Sequence, residues 1–408
     1  MDKGVTGMES RKHRTIVFAE GTIVTPTERR RADLVVQDGS VLELREPGAT
    51  CSADEHVVDC RGLFVGPGLV DIHTHGGQGH DFVSSDPQEI IDGCEYHLSV
   101  GTTAIAPSGL SVPIEEMRAS IEATREAARD CRADILGYHV EGGYLDEEYR
   151  GGHLKEYVRD PDPDEYLPLI EDHSDFITEW TLAPELPGSL DVIRACREAG
   201  IPTSAGHSQA TYEQMMAAID AGLRHATHLY CVMGTIRFEA LRDSPGRGYA
   251  PGVVETVLMH QAVTTEIICD GFHVHPALIR FALMCKGPHR LALISDSMKG
   301  AGLPDGEYFI GGQDALVEGG IAIIKERPEV IASSVTPMLG MLQFIHETVG
   351  ARLEDAWTMG SLTPARILGV DDRIGSLDPG KDADIILLDR DLEVQEVYAK
   401  GRRVAMHR

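Results

Sequence analysis

The sequence predicts an α/β protein, a (β/α)8 TIM barrel carrying a small β-sandwich domain formed by both chain ends. Three observations carry this expectation. Eight short apolar runs alternate with helix-like stretches through the middle of the chain. Strand-rich, turn-punctuated segments stand at both ends. The length, 408 residues, exceeds one ordinary core and suits a large barrel with a small second domain.

From residue 14 to 62, "RTIVFAEGTIVTP", "ADLVVQDGSVLELRE" and "EHVVDCRGLFVGPG" are rich in β-branched residues and broken by Gly, Asp and Pro. The same texture returns in "DRIGSLDPGKDADIILLDRDLEVQEVYAKGRRV". Residues 14–62 and 371–408 are therefore expected to complete one small domain, with 63–370 as the barrel. The apolar runs are, in order, "FVGPGLVDIHTH", "GTTAIAPS", "ADILGYHVEGG", "DFITEWTLAPE", "IPTSAGHS", "HATHLYCVM", "TTEIICDGFHVH" and "RLALISDSM". Between them, "PIEEMRASIEATREAARD" and "ATYEQMMAAIDAG" place apolar residues at the 3.6-residue period of a helix. A doubly wound open sheet is the alternative, but no G-x-G-x-x-G follows a strand to support it.

Acidic residues outnumber basic ones by 65 to 37, a formal charge of −28. That field repels phosphate backbones and anionic membranes, so neither nucleic acid nor a membrane is an expected partner. An anionic substrate would need local cations. The eight cysteines are scattered without a C-x-x-C pair, as for reduced residues of a cytoplasmic protein. The N-terminal "MDKGVTGMESRKHR" lacks an apolar signal core. No segment approaches the roughly 20 apolar residues that span a bilayer. A cytoplasmic location is expected.

The chemistry is sought at the carboxyl ends of the strands, where barrel enzymes hold their sites. The first run ends in His73 and His75, two residues apart and therefore on one side of a strand. The third ends in His139 and Glu141, the fifth in His207, the sixth in His228. The seventh ends in Asp270, His273 and His275, and the eighth in Asp296. Singly, each is an ordinary histidine or carboxylate; together they point to a metal centre. Neutral imidazoles with a carboxylate suit a divalent borderline ion such as Zn2+, and the lack of clustered cysteines argues against a closed structural site. Such an ion lowers the pKa of a bound water to about 7. Asp296 could then take the water's proton and pass it to a leaving amine. Its other possible roles are an ion pair with Lys299 or support of a ligating histidine.

The motifs "PGLVDIHTHG", "HVEGGYL", "GGH", "AGHSQAT", "THLYCVM", "DGFHVHP", "SDS" and "TPARILG…GSLDPGKDADIILLD" span nearly the whole chain. With these, the sequence resembles the amidohydrolase superfamily and, within it, the N-acetylglucosamine-6-phosphate deacetylases. The resemblance implies metal ligands at Glu141, His207 and His228, and a second metal at His73 and His75, so one or two divalent ions per subunit. It implies that His153 polarises the acetyl carbonyl and that Asp296 is the catalytic acid/base. The reaction implied is hydrolysis of an N-acetyl group by metal-activated hydroxide, giving acetate and a primary amine. The fourth run contains no lysine, which disfavours the branches that use a carbamylated lysine there.

Around the substrate, the resemblance implies contacts from Gly152, Cys231, Val232, His273, Ile331, Ala332 and Ser333, with Arg237 or Arg242 for a phosphate. His273 matches a residue that reaches the phosphate of a neighbouring subunit, implying a homodimer. The chain departs from the family here. Cys231 and Val232 replace an asparagine and an alanine, "EGGY" replaces "EGPF", and "SDSMKGAG" brings Lys299 toward the pocket. The expected activity is deacetylation of N-acetylglucosamine-6-phosphate or a related N-acetyl amino sugar phosphate. The alternatives are hydrolysis of another N-acyl substrate, such as an N-acyl amino acid or a cyclic amide, and a non-catalytic scaffold.

Overall fold

The computed structural model describes residues 14–49, 52, 54–241 and 246–406; the segment before residue 14, Cys51 and Arg242 lie outside them. The protein is α/β. Eight strands occupy the eight apolar runs: β1 (Leu69–Thr74), β2 (Thr102–Pro107), β3 (Tyr138–Glu141), β4 (Ile177–Leu182), β5 (Thr203–Ala205), β6 (His225–Ala226), β7 (Thr265–Ile268) and β8 (Leu291–Ile294). Almost every residue in them is buried. Strands covered on both faces read as continuous apolar runs, which is why these stand out in the sequence.

Parallel ladders join β1 to β2, β3 through β6 in order, and β7 to β8. The Gly109 N–H reaches the His139 carbonyl (2.9 Å) between β2 and β3, and the Leu229 N–H reaches the Glu266 carbonyl (2.8 Å) between β6 and β7. The last strand returns to the first. Just past β8, the Asp296 N–H donates to the His73 carbonyl (2.9 Å), and the His75 N–H donates to the Ser297 carbonyl (2.8 Å). Buried Asp71 reinforces this seam by accepting from the Ser295 N–H (3.2 Å) and hydroxyl (2.5 Å). Helices separate the strands, and their starts are written locally. Asp86 and Asp162 cap Pro87–Ser99 and Pro163–His173, and Thr211 with Gln214 forms a capping box at Tyr212–Ala221.

The two chain ends meet in one sheet. Its order is Arg402–Arg403, Val394–Ala399, Ile385–Leu388, Phe64–Pro67, Thr15–Val24, Arg29–Gln37, Ser40–Arg45, with Glu55–Asp59 also pairing with Thr15–Val24. Hydrogen bonding links all eight of these strands in one sheet that forks at Thr15–Val24. This sheet folds over its own apolar core of Phe18, Leu34, Val36, Val65, Ile385 and Leu387. Strand Phe64–Pro67 leads directly into β1. There the Trp357 indole donates to the Pro67 carbonyl (2.8 Å). A side chain on Gly66 would collide with Trp357 at 2.0 Å.

A second feature was not foreseen. After β8 the chain forms an antiparallel meander, Gly306–Ile310, Gln313–Glu318, Ile321–Ile324 and Arg327–Ser334. The pairs Gly311–Gly312 and Gly319–Gly320 turn its first two hairpins, all four at positive φ. Among the described residues no helix is long and apolar enough to cross a membrane.

His97, buried in helix Pro87–Ser99, bonds the Gly76 carbonyl through Nε2 (3.0 Å). Burial pushes its pKa down to about 4, with Gly76 offsetting part of the effect. The unfolded chain, with an ordinary histidine near 6.5, therefore binds a proton first as pH falls. Stability is lost between pH 6.5 and 4, by roughly 3 kcal/mol from this residue. Urea midpoints measured across that range should fall with pH and fall less steeply in His97→Gln. An unchanged slope in the variant would assign the acid sensitivity to other groups.

Candidate metal and substrate site

The strand ends deliver the site. His73 and His75 alternate along β1 and its exit, so both imidazoles face the ring interior, with their Nε2 atoms 3.2 Å apart. Glu141 ends β3, and His207, His228 and Asp296 stand just beyond β5, β6 and β8. The last three adopt left-handed backbone, with φ of +49°, +25° and +45°. Side chains other than glycine hold that conformation at a cost of about 1–3 kcal/mol each, and such strain gathers at functional sites.

Glu141 is the hub. Its Oε2 lies 3.4 Å from His73 Nε2 and 3.2 Å from His75 Nε2; its Oε1 lies 3.1 Å from His207 Nε2 and 3.0 Å from His228 Nε2. Two three-ligand groups result, His73–His75–Glu141 and Glu141–His207–His228, sharing the one buried carboxylate. The outer nitrogens fix the tautomers. His73 Nδ1 is held by Glu266 (2.6 Å), His75 Nδ1 by the Ser108 carbonyl (3.3 Å) and His207 Nδ1 by the Tyr149 carbonyl (3.0 Å). Those acceptors take the Nδ1 hydrogens, so the Nε2 atoms are the ones turned to the carboxylate. Nitrogens converging on a carboxylate hold either protons or a divalent cation between them, and the outer bonds are the kind that orient metal-ligating histidines.

The charges agree. Burial disfavours a charge on His75, but the Asp296 and Glu141 carboxylates outweigh it and lift its pKa to about 9. Burial alone would raise Asp296; His75, then His73, outweigh it and hold that carboxyl below its ordinary value. Burial and then His153 push His207 down to about 4, keeping it a neutral ligand. The centre favours added positive charge. Asp296 Oδ1 stands 3.2 Å from His75 Nε2, at the edge of the cluster and open to the cavity.

His153 is positioned from the opposite side. The Ser111 N–H donates to His153 Nδ1 (3.0 Å), with the Ser111 hydroxyl 2.9 Å away. Nδ1 is thus an acceptor, and Nε2 carries the hydrogen, 3.6 Å from Glu141 Oε2. Gly142 makes this possible: at φ +129°, a Cβ there would lie 2.5 Å from the Ser111 nitrogen.

A cavity of about 330 Å3 opens above the cluster. Gly152, His153, Cys231, Val232, His273, Asp296, Ile331, Ala332 and Ser333 line it. The meander supplies the last stretch. The Ser334 N–H donates to the Asp296 carbonyl (2.8 Å), and the Ser333 hydroxyl does so at 2.5 Å, which fastens that strand beside Asp296. Burial, then Asp296, raises the Cys231 thiol, which stays neutral.

Several expectations need correction. Arg237 begins a hairpin with Gly246–Ala250 and does not line the cavity. Lys299 pairs with Asp81 (3.2 Å) and lies over the Phe309 ring, outside the cavity. His273, by contrast, lines the cavity, held by Asp270 at 2.7 Å. His139 is not a ligand: its nitrogens bond Ser108 (3.0 Å) and Thr181 (2.8 Å), and burial, then His73, lowers its pKa to about 3. His275 caps helix Pro276–Lys286. Two cations were missed, Arg150 and Arg327, which line the cavity together with Glu148 and Glu329. The glycine pairs of the meander were the available signal for Arg327; nothing local marks Arg150.

Fold and site define the class. The chain belongs to the amidohydrolase family, whose sequence pattern it matches over residues 64–404. It is 34% identical over 340 residues to the N-acetylglucosamine-6-phosphate deacetylase of Vibrio furnissii, covering 83% of this chain and 82% of that one. It is 32% identical to the N-acetylgalactosamine-6-phosphate deacetylase of Escherichia coli O157:H7, over 82% and 86% of the two chains. Among solved structures it is similar to an aspartate-to-alanine mutant of the Mycobacterium smegmatis N-acetyl-D-glucosamine-6-phosphate deacetylase in complex with N-acetyl-D-glucosamine-6-phosphate. That match has a TM-score of 0.87 and 31% identity, over 97% of this chain and 100% of that one.

Glu141→Ala removes the carboxylate common to both ligand groups. Metal per chain, measured by elemental analysis after dialysis, should fall at least about tenfold. Full metal content in a folded variant would break the proposed centre.

Proposed function

We propose that the protein is a metal-dependent hydrolase that removes the acetyl group from N-acetylglucosamine-6-phosphate or a related N-acetyl amino sugar phosphate. The observation that carries this reading is the Glu141 cluster opening into one cavity beside Asp296 and His153, in a chain similar throughout to deacetylases of such sugars. We read the ring of parallel strands as a (β/α)8 barrel, residues 63–370, and the terminal sheet as a separate small domain. Zn2+ is the ion best suited to four imidazoles and a carboxylate, with one or two held at Glu141, His207, His228 and at His73, His75. When bound there, such an ion polarises a carbonyl and acidifies a water.

The chain's own residues do the rest. The His153 Nε2–H faces the cavity and donates to the acetyl oxygen as negative charge develops on it. The Asp296 carboxylate, ionised at neutral pH, takes a proton from the attacking water and delivers it to the departing nitrogen. Gly152, Cys231, Val232, Ile331, Ala332 and Ser333 shape a largely uncharged pocket for the sugar. Arg150 and Arg327 supply the local cations that an anionic substrate needs against the overall charge of −28. Among the described residues neither forms an ion pair, and the Arg150 Nε is buried without a hydrogen-bond partner. Burial and the nearby Arg150 both lower the pKa of Arg327, a like-charge approach that a phosphate would relieve. His273 lines the same cavity as these two cations.

Asp296→Asn should keep metal content and fold while kcat falls about 10²–10⁴-fold. Near-normal turnover would remove Asp296 from the acid/base role. Acetate release by the zinc-loaded protein should be compared for N-acetylglucosamine-6-phosphate, N-acetylgalactosamine-6-phosphate, N-acetylglucosamine and an N-acetyl amino acid. A phosphorylated sugar should be preferred. Arg150→Gln and Arg327→Gln should each raise its KM about tenfold or more, with kcat little changed, as expected for a lost charge-assisted bond. Activity only on the N-acetyl amino acid would instead make Cys231 and Val232 the marks of a different N-acyl substrate.

A further inference from the structure

One layer deeper in the ring lie three residues that the proposed reaction does not use: Glu179 on β4, His225 on β6 and Glu266 on β7. They are 1%, 2% and 0% exposed. Their ligand atoms all lie within 4.8 Å of one another. Both Glu179 carboxylate oxygens, His225 Nε2 and Glu266 Oε2 have no hydrogen-bond partner. Orphaned buried polar atoms are rare in folded proteins, and here the His225 Nε2 faces two others, Glu179 Oε1 and Glu266 Oε2.

The proton inventory sharpens the point. His225 Nδ1 lies 2.7 Å from the Thr264 hydroxyl, whose own hydrogen goes to the Arg224 carbonyl (3.2 Å). The hydroxyl therefore accepts and Nδ1 carries a hydrogen, so Nε2 is the atom turned to the carboxylates, 3.5 Å from Glu266 Oε2 and 3.9 Å from Glu179 Oε1. Those distances exceed the roughly 2.7–2.9 Å of a charge-assisted bond. Glu266 shows such a bond with its other oxygen, 2.6 Å from His73 Nδ1. The wider spacing fits ligands placed around a cation. Donors about 2.0–2.2 Å from a tetrahedral divalent ion stand roughly 3.3–3.6 Å apart. The ligand atoms around Glu141, at 3.0–3.4 Å, have a similar spacing.

The geometry points to a second, inner cation site formed by Glu179, His225 and Glu266, taking a borderline divalent ion such as Zn2+ or Mn2+. Two carboxylates and one imidazole match that class, and a divalent charge neutralises both carboxylates. With the triad closed off from solvent, the ion is taken up as the ring forms. Glu266 links the two levels. One oxygen faces the inner ion while the other holds the Nδ1–H of His73, so the inner ion sets the orientation of an outer ligand.

The test uses the full-length protein, expressed with added zinc or manganese and purified without chelator. An anomalous difference map collected at the metal edge should show a peak between Glu179, His225 and Glu266, besides those at Glu141. Peaks at Glu141 alone overturn the inner site and leave the catalytic reading standing; no peaks anywhere overturn both. Elemental analysis provides a second measure. Glu179→Gln should hold one ion per chain fewer than the native protein while keeping those at Glu141, and equal content would overturn the inner site. If Glu179→Gln does not fold, the map of the native protein decides.

Discussion

Everything in this molecule that bears on chemistry is arranged around a carboxylate placed where a carboxylate should not be. Glu141 is buried at the hub of the ring, and burial alone would strip its charge. The surrounding imidazoles reverse this: His73, then His153, His207 and His228, hold its pKa well below the ordinary value. Four strands must end at the right height for that to happen, and three of the imidazoles are braced by a second hydrogen bond behind them. The left-handed turns at His207, His228 and Asp296 are tolerated because the ring over-determines them.

Chemistry and selectivity are carried by different parts of the chain. The ligand atoms come from strand ends of the ring, whose parallel hydrogen bonding leaves little freedom. The cavity walls come from the segment after Glu141 and from the meander, which holds itself together through its own ladders. Cys231 and Val232 sit between the two, three and four residues beyond His228. The departures from the deacetylase pattern fall on this outer level, so the substrate can change while the centre stays intact.

How legible each part was follows from the range of the interaction behind it. The eight strands were legible because parallel strands buried on both faces write unbroken apolar runs. His73 and His75 were legible because the two-residue period of a strand is local. His139 shares the period with Glu141 but stands two residues earlier, roughly 6–7 Å lower in the ring, where it meets Ser108 and Thr181 instead of the cavity. Glu179, His225 and Glu266 lie on three separate strands, and no spacing in the sequence brings them together. Arg150 and Arg327 are likewise far apart in the chain and meet only because the meander leans back over β8. Lys299 was placed by nearness to Asp296 in sequence, yet the turn after β8 sends it to Asp81.

The attachment of the meander has a further meaning. It leaves the ring after β8 and returns before helix Met338–Phe344, and its backbone bonds to the ring cluster at Asp296 and Met298. A roof held together largely by its own ladders is a unit that mutation can rebuild without renegotiating the foundations. Its hairpins can lengthen, shorten or exchange side chains while the ligand cluster around Glu141 keeps its frame.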